Sequence, residues 1–124
     1  MRIACTLIAI FILSSCSNRR LGGSQPKQLV NRVWELSRIL ADTIHSPKPA
    51  YITFSDTLLV HGFSGCNGFS AVYNITEGKL QIGEIRSTRM YCDSLHPEQK
   101  LFIFLQRADG FVLSGDQLRL TKEG

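Results

Sequence analysis

Concentrated charge is the first feature that this sequence lacks. Only 19% of its 124 residues are charged, and the formal net charge is +4. The basic residues are scattered, and Arg19–Arg20 and the pair Arg86 and Arg89 are the only close groups. A nucleic-acid-binding domain usually concentrates its basic side chains on one face or along one stripe. The sequence therefore argues against nucleic acid as a partner.

Motifs for a cofactor, a metal or a catalytic group are also missing. The glycines lack the spacings of phosphate-binding and dinucleotide-binding loops. The cysteines and histidines lack the paired spacings of zinc sites, so we expect no cofactor and no metal. A Cys66 nucleophile with His61 or His96 as its base is the alternative, but no protease or transferase signature surrounds Cys66. We therefore expect a protein that is not an enzyme.

Long apolar runs are absent except for one, Ile3–Leu13, which follows Met1-Arg2. Its eleven residues are too few for an ordinary membrane-spanning helix, which needs roughly 20. This length is typical of the core of a signal peptide, and small residues follow it, as signal peptidases require. The sequence therefore predicts a signal peptide over residues 1–15.

The leader ends in Leu13-Ser14-Ser15-Cys16, which resembles a bacterial lipobox. The resemblance implies a diacylglyceryl thioether on Cys16, cleavage before it and acylation of the new amino terminus. A plain secretory signal with an incidental Cys16 is the alternative. Several acyl chains anchor a protein stably to a membrane, because each buried CH₂ contributes about 0.8 kcal/mol. By analogy with bacterial sorting rules, Ser17 after Cys16 favours delivery of the protein to the outer membrane, with the domain facing the periplasm. Residues 16–28 are predicted to form a flexible tether.

Apolar residues with a period of two predict most of the remaining chain as strands. The predicted strands are Val33–Ile39, Tyr51–Phe54, Thr57–Phe63, Val72–Ile75, Leu80–Ile85, Phe111–Leu113 and Gln117–Thr121. Glu77-Gly78 is predicted as a hairpin turn, Gly115-Asp116 as a turn and residues 41–49 as a loop. Helical spacing after a proline predicts one helix, Pro97–Arg107, with Glu98 complementing the helix dipole. Trp34 is expected to anchor the core. The predicted fold is an α+β domain over residues 29–124, with a curved antiparallel sheet or partial barrel covered by one helix.

Two cysteines, Cys66 and Cys92, lie within this predicted domain. Gly62, Gly65 and Gly68 surround the first, which indicates a positive φ or a close backbone approach. An exported domain meets an oxidising compartment, so a disulfide between the two cysteines is favoured over free thiols. On the chain-entropy model, closing this loop of 26 residues stabilises the domain by roughly 3 kcal/mol.

The same stretch contains a dispersed motif. Its residues are Gly62, Gly65, Cys66, Asn67, Phe69 and Tyr73, followed by Ser87, Thr88, Met90 and Cys92. The motif resembles that of the META domain, or HslJ-like, family, and a looser likeness runs from about Trp34 to Leu120. This chain departs from the family in having Ala71 where glycine is usual, and in ending about one strand early. The resemblance implies the family's fold, while the family's molecular function is largely unassigned.

Two functional hypotheses follow. The first is a non-enzymatic envelope lipoprotein, whose partner is the membrane that holds its lipid anchor. The family resemblance implies an association with envelope and stress phenotypes. The second is a binding module in which aromatic residues hold a lipid or a peptide between sheet and helix, or else simply fill the core. Those aromatic residues are Phe54, Phe63, Phe69, Tyr73, Phe102 and Phe104. Asn67 is interpreted as a turn residue whose side chain bonds nearby backbone.

Overall fold

The computed structural model describes residues 26–45, 48–92 and 97–123. The predicted signal peptide, Cys16 and His96 lie outside these ranges. Within the described ranges, the helix is neither long nor apolar enough to cross a membrane.

Ten short strands and one helix make up the described part of the chain. The strands are β1 (Val33–Glu35), β2 (Arg38–Ile39), β3 (Asp42–Thr43), β4 (Tyr51–Phe54), β5 (Leu59–Phe63), β6 (Gly68–Thr76), β7 (Lys79–Ile82), β8 (Arg86–Ser87), β9 (Gly110–Ser114) and β10 (Gln117–Thr121). The helix α1 spans Glu98–Arg107, between β8 and β9. The described part of the chain is therefore mostly β, and the predicted curved antiparallel sheet with one helix describes it in outline.

The main sheet is antiparallel and runs in the order β1-β4-β5-β6-β7, with β8 added to β6. Strand β6 holds it together, because its first half pairs with β5 and its second half with β7. The β9–β10 hairpin continues beyond β7, where the Leu80 N–H donates to the Asp109 carbonyl at 3.0 Å. The result is a curled half-barrel, and the buried Leu101 and Leu105 of α1 join its core.

Two predicted turns are present where the sequence placed them. Glu77 and Gly78 both have positive φ, 53° and 78°, which is the geometry of the type I′ hairpin turn. Gly115 has a φ of 58° at the β9–β10 turn. Helix α1 begins at Glu98, one residue later than predicted, with Pro97 as its N-cap residue. Local sequence therefore determines these features.

The prediction of one strand over Val33–Ile39 is wrong. The strand ends after Glu35. Leu40, which has a φ of 55°, lies in the turn that folds β3 back onto β2. The predicted loop 41–49 therefore contains strand β3. Trp34 and Ile39 are both buried, yet residues five apart point to opposite faces of a continuous strand. Because the strand is interrupted after Glu35, the side chains of Trp34 and Ile39 can both reach the core.

Three other strand boundaries differ from the prediction by two residues or more. Strand β5 begins at Leu59 because Leu58 has a left-handed φ of 64°. Strand β6 begins as early as Gly68, because its first residues pair with β5 although Gly68, Ser70 and Ala71 are small. Strand β7 ends at Ile82, where Gly83 donates its N–H to Val72. The β6 and β7 boundaries depend on pairing with other strands, which the local sequence pattern does not record.

Aromatic side chains fill much of the core. The rings of Phe54 and Tyr73 meet edge to face with centroids 5.0 Å apart, and those of Phe69 and Phe102 do so at 5.2 Å. Trp34 is buried, as predicted, and its indole Nε1 donates to the Leu29 carbonyl at 3.1 Å. Most of the aromatic residues that the binding hypothesis used therefore serve as core.

Candidate functional site

The loop from Ser64 to Asn67 joins β5 to β6 and carries the centre of the motif. Gly65 has a φ of 96°, a conformation that favours glycine. Gly62 is needed for close packing, since a Cβ built there would lie 2.0 Å from the Tyr51 carbonyl oxygen. Gly68 has room for a Cβ, with nothing nearer than 4.0 Å. Two of the three clustered glycines thus have the roles that the sequence indicated.

Asn67 lies at the centre of a buried hydrogen-bond network and is 3% exposed. Its Oδ1 accepts from the Thr88 hydroxyl at 2.8 Å and from the Met90 N–H at 2.7 Å. Its Nδ2 donates to the Glu98 carboxylate at 3.1 Å and to the Met90 carbonyl at 3.3 Å. One side chain therefore connects the β5–β6 loop, the segment after β8 and the start of α1.

Glu98 completes this network through Ser64. The Ser64 hydroxyl donates to the Glu98 carboxylate and accepts the Asn67 N–H at 2.9 Å. We call the five residues Ser64, Asn67, Thr88, Met90 and Glu98 the Asn67 cluster. The sequence indicated Glu98 only as a partner of the helix dipole. Its link to residues more than thirty positions away was missed, because no local pattern signals it.

Cys66 and Cys92 are joined by a disulfide beside the Asn67 cluster, with their Cα atoms 6.1 Å apart. This separation lies within the usual range for a disulfide. A disulfide sulfur has no thiolate to act as a nucleophile, and His61 lies exposed on β5. Across the described residues, no three histidine, cysteine or acidic side chains are grouped to hold a metal.

Tyr73 is the motif residue on β6, and its phenol donates to the Ser55 carbonyl at 2.7 Å. Burial, with a smaller contribution from the Asp56 carboxylate, raises the pKa of Tyr73 above its ordinary value. The folded protein therefore holds the phenolic proton more tightly than the unfolded chain does. This contribution to stability is complete below the unfolded pKa of about 10 and is lost as the pH rises toward the folded pKa.

We expect the free energy of unfolding, measured with urea between pH 8 and pH 11, to fall above about pH 10. Tyr73→Phe should make this fall shallower, because the phenol that titrates is gone. It should also lower stability at pH 8 by about 1 kcal/mol, since the hydrogen bond to Ser55 is lost. An identical alkaline fall in the variant would show that Tyr73 does not cause it.

A separate feature is an open groove of about 890 Å³ between β1–β2, β10 and α1. Its apolar lining includes Trp34, Leu36, Leu101, Phe104, Leu105, Leu118 and Leu120. Arg32 donates to Asp116 at 2.8 Å across the groove and also lies 4.7 Å from the centre of the Trp34 ring. Of the six aromatic residues proposed to hold a ligand, only Phe104 lines this groove.

Comparisons with known proteins agree with this fold. Two structures solved by NMR are similar to the chain. One is 24% identical, with a TM-score of 0.65, over 79% of this chain and 86% of its own. The other, a protein from Burkholderia xenovorans, is 26% identical, with a TM-score of 0.61, over 77% of each chain. No curated protein sequence matches the chain.

The family comparison agrees with the motif around Asn67. The META domain family model matches residues 27–124, which is most of the chain and includes every motif residue from Gly65 to Cys92. On this match the chain belongs to the META domain family.

Proposed function

We propose that this protein is a non-catalytic domain of the bacterial cell envelope, anchored by lipid on Cys16 and facing the periplasm from the outer membrane. The observation that carries the proposal is the Cys66–Cys92 disulfide. Structural disulfides persist in oxidising compartments and are rare in the cytosol. The disulfide in the domain and the lipobox-like leader before it both favour a location of the domain outside the cytosol.

The Asn67 cluster supports the non-catalytic part of the proposal. Its polar groups bond to one another and to backbone, and within the described ranges every buried side-chain nitrogen and oxygen has a hydrogen-bond partner. Catalytic groups need a free lone pair or proton within hydrogen-bond reach of a substrate. The motif residues Asn67, Thr88 and Met90 instead hold two loops and the helix start together.

Anchoring is tested by replacing Cys16 with alanine in the full-length chain expressed in a Gram-negative host. We expect the native chain to incorporate labelled palmitate and to sediment with membranes, and Cys16→Ala to lose the label, because the thioether cannot form. Cys5→Ala is the matched control, since Cys5 precedes the predicted cleavage site. Labelling of Cys16→Ala, or an unlabelled native chain, would contradict the anchor.

The groove favours a second candidate function, the binding of a ligand by the anchored domain. Binding sites are usually concave, largely apolar and edged by a few polar groups. The groove has an apolar floor that includes Leu105 and Leu118 and a charged pair, Arg32 and Asp116, at one end. Such a site suits a ligand with an apolar side and a polar side.

A further inference from the structure

The two walls of the groove are strand edges. Strand β1 pairs with β4 on one side, and β10 pairs with β9 on one side. Within the described part of the chain, neither strand has a partner on its other side. Both open edges line the groove. The curled sheet thus stops at β1 and at β10, and the groove separates its two ends.

Backbone groups on both edges point into this gap. The Leu36 N–H donates to the Ala50 carbonyl at 2.8 Å, and alternation along an antiparallel strand turns Trp34 toward β4 as well. Val33 and Glu35 therefore direct their N–H and C=O groups outward. The two-residue turn of the β9–β10 hairpin makes Ser114 and Gln117 the first hydrogen-bonded pair.

By the same alternation, two residues of β10 direct their backbone groups toward the gap, Leu118 and Leu120. The unpaired backbone N–H and C=O groups on the two edges determine which kind of ligand the groove can bind. An acyl chain in the groove would remove them from water without replacing their hydrogen bonds, which is costly. A peptide strand would pair with them on both sides, as in strand addition to a sheet edge. The five residues of β10 offer an edge of about 16 Å, at about 3.3 Å per residue.

The side chains along the gap define the pattern of that peptide. On the inner face lie Trp34, Leu118 and Leu120, which would contact apolar side chains. Arg38 and Arg119 lie on the outer face and have no ion-pair partner within the described ranges. Among the groove-lining residues on that face, Glu35 is the only acidic one. The outer face therefore has a surplus of positive charge, which complements acidic side chains.

We propose that the groove binds an extended peptide as an added strand between β1 and β10, with alternate apolar residues facing Trp34 and acidic residues facing Arg119. This inference rests on the second proposed function, ligand binding in the groove, and it does not depend on the lipid anchor.

The test uses the purified full chain carrying Cys16→Ala, so that no acyl chain of its own competes. The probe is a capped heptapeptide, Thr-Val-Glu-Val-Glu-Val-Thr, added in increasing concentration. Trp34 is the only tryptophan in the chain, so its fluorescence reports filling of the groove. Hydrogen exchange by mass spectrometry reports protection of residues 33–36 and 117–121, with residues 79–82 as the internal reference.

We expect a saturable change in Trp34 fluorescence and slower exchange in both edge segments but not in the reference. The same peptide with its three valine amides methylated should bind at least about tenfold more weakly, because one edge loses its hydrogen bonds. Arg119→Glu should weaken binding by about threefold or more through charge repulsion. Lys79→Glu, an exposed change of the same kind away from the groove, should leave binding unchanged.

Three outcomes would overturn the inference. Energy transfer from Trp34 to a dansylated fatty acid, without peptide binding, would show that the groove binds a ligand but not a strand. Edge protection without peptide, increasing with protein concentration, would identify a second copy of the chain as the occupant. No response to either probe would overturn ligand binding in the groove together with the strand proposal.

Discussion

Replacing Gly62 by alanine is expected to lower the free energy of unfolding by about 3 kcal/mol or more. The added Cβ would lie 2.0 Å from the Tyr51 carbonyl oxygen and 3.0 Å from the Ile52 Cα. These are backbone atoms of β4, which is held by β1 on one side and β5 on the other, so they cannot move without breaking the sheet. Urea unfolding followed by circular dichroism measures the loss.

Gly68→Ala is the matched control, because Gly68 lies on the neighbouring strand, where an added Cβ meets nothing nearer than 4.0 Å. Gly68→Ala should lower the free energy of unfolding by less than about 1 kcal/mol. If the two variants lost the same stability, the loss would reflect a general intolerance of side chains near Cys66 and not the close approach to β4.

Asn67→Asp is expected to lower the free energy of unfolding by about 3 kcal/mol at neutral pH. The change keeps the shape of the side chain but replaces the Nδ2 donor with an oxygen. That oxygen would face the Glu98 carboxylate, which accepts from Nδ2 at 3.1 Å, and the Met90 carbonyl. Two hydrogen bonds would become repulsive contacts in a buried position. Chemical denaturation at pH 7 measures the loss.

The double variant Asn67→Asp with Glu98→Gln provides the control. It exchanges the carboxylate and the amide, so an amide can again donate to a carboxylate across the same 3.1 Å contact. We expect it to recover most of the lost stability, and we expect Asn67→Asp alone to be less damaging at acid pH, where its carboxyl group is protonated. A double variant as unstable as the sum of its two single changes would show that the two side chains are not coupled.

Features encoded within a few residues could be predicted from the sequence. The Glu77-Gly78 turn, helix α1 and strand β4 follow from turn chemistry, helical spacing and a short alternating run. The burial of Trp34 follows from its size and apolar surface. These features form the frame of the half-barrel.

Features that depend on distant pairing could not be predicted. The Asn67 cluster joins Ser64 to Glu98, and no local pattern predicts which of several polar residues in turns will meet. The break after Glu35 depends on the need to bury both Trp34 and Ile39, which becomes visible only when the core is assembled. The groove likewise exists because β1 and β10, more than eighty residues apart, both end the sheet.

The central proposal is that the mature chain is exported, begins at an acylated Cys16 and carries a disulfide in its domain. Intact-mass spectrometry of the protein extracted from native membranes, with alkylation but no reducing agent, tests it most directly. We predict a polypeptide that starts at Cys16, carries added acyl mass and has no alkylated cysteine. An intact amino terminus without acyl mass, and with alkylated Cys66 and Cys92, would contradict the account.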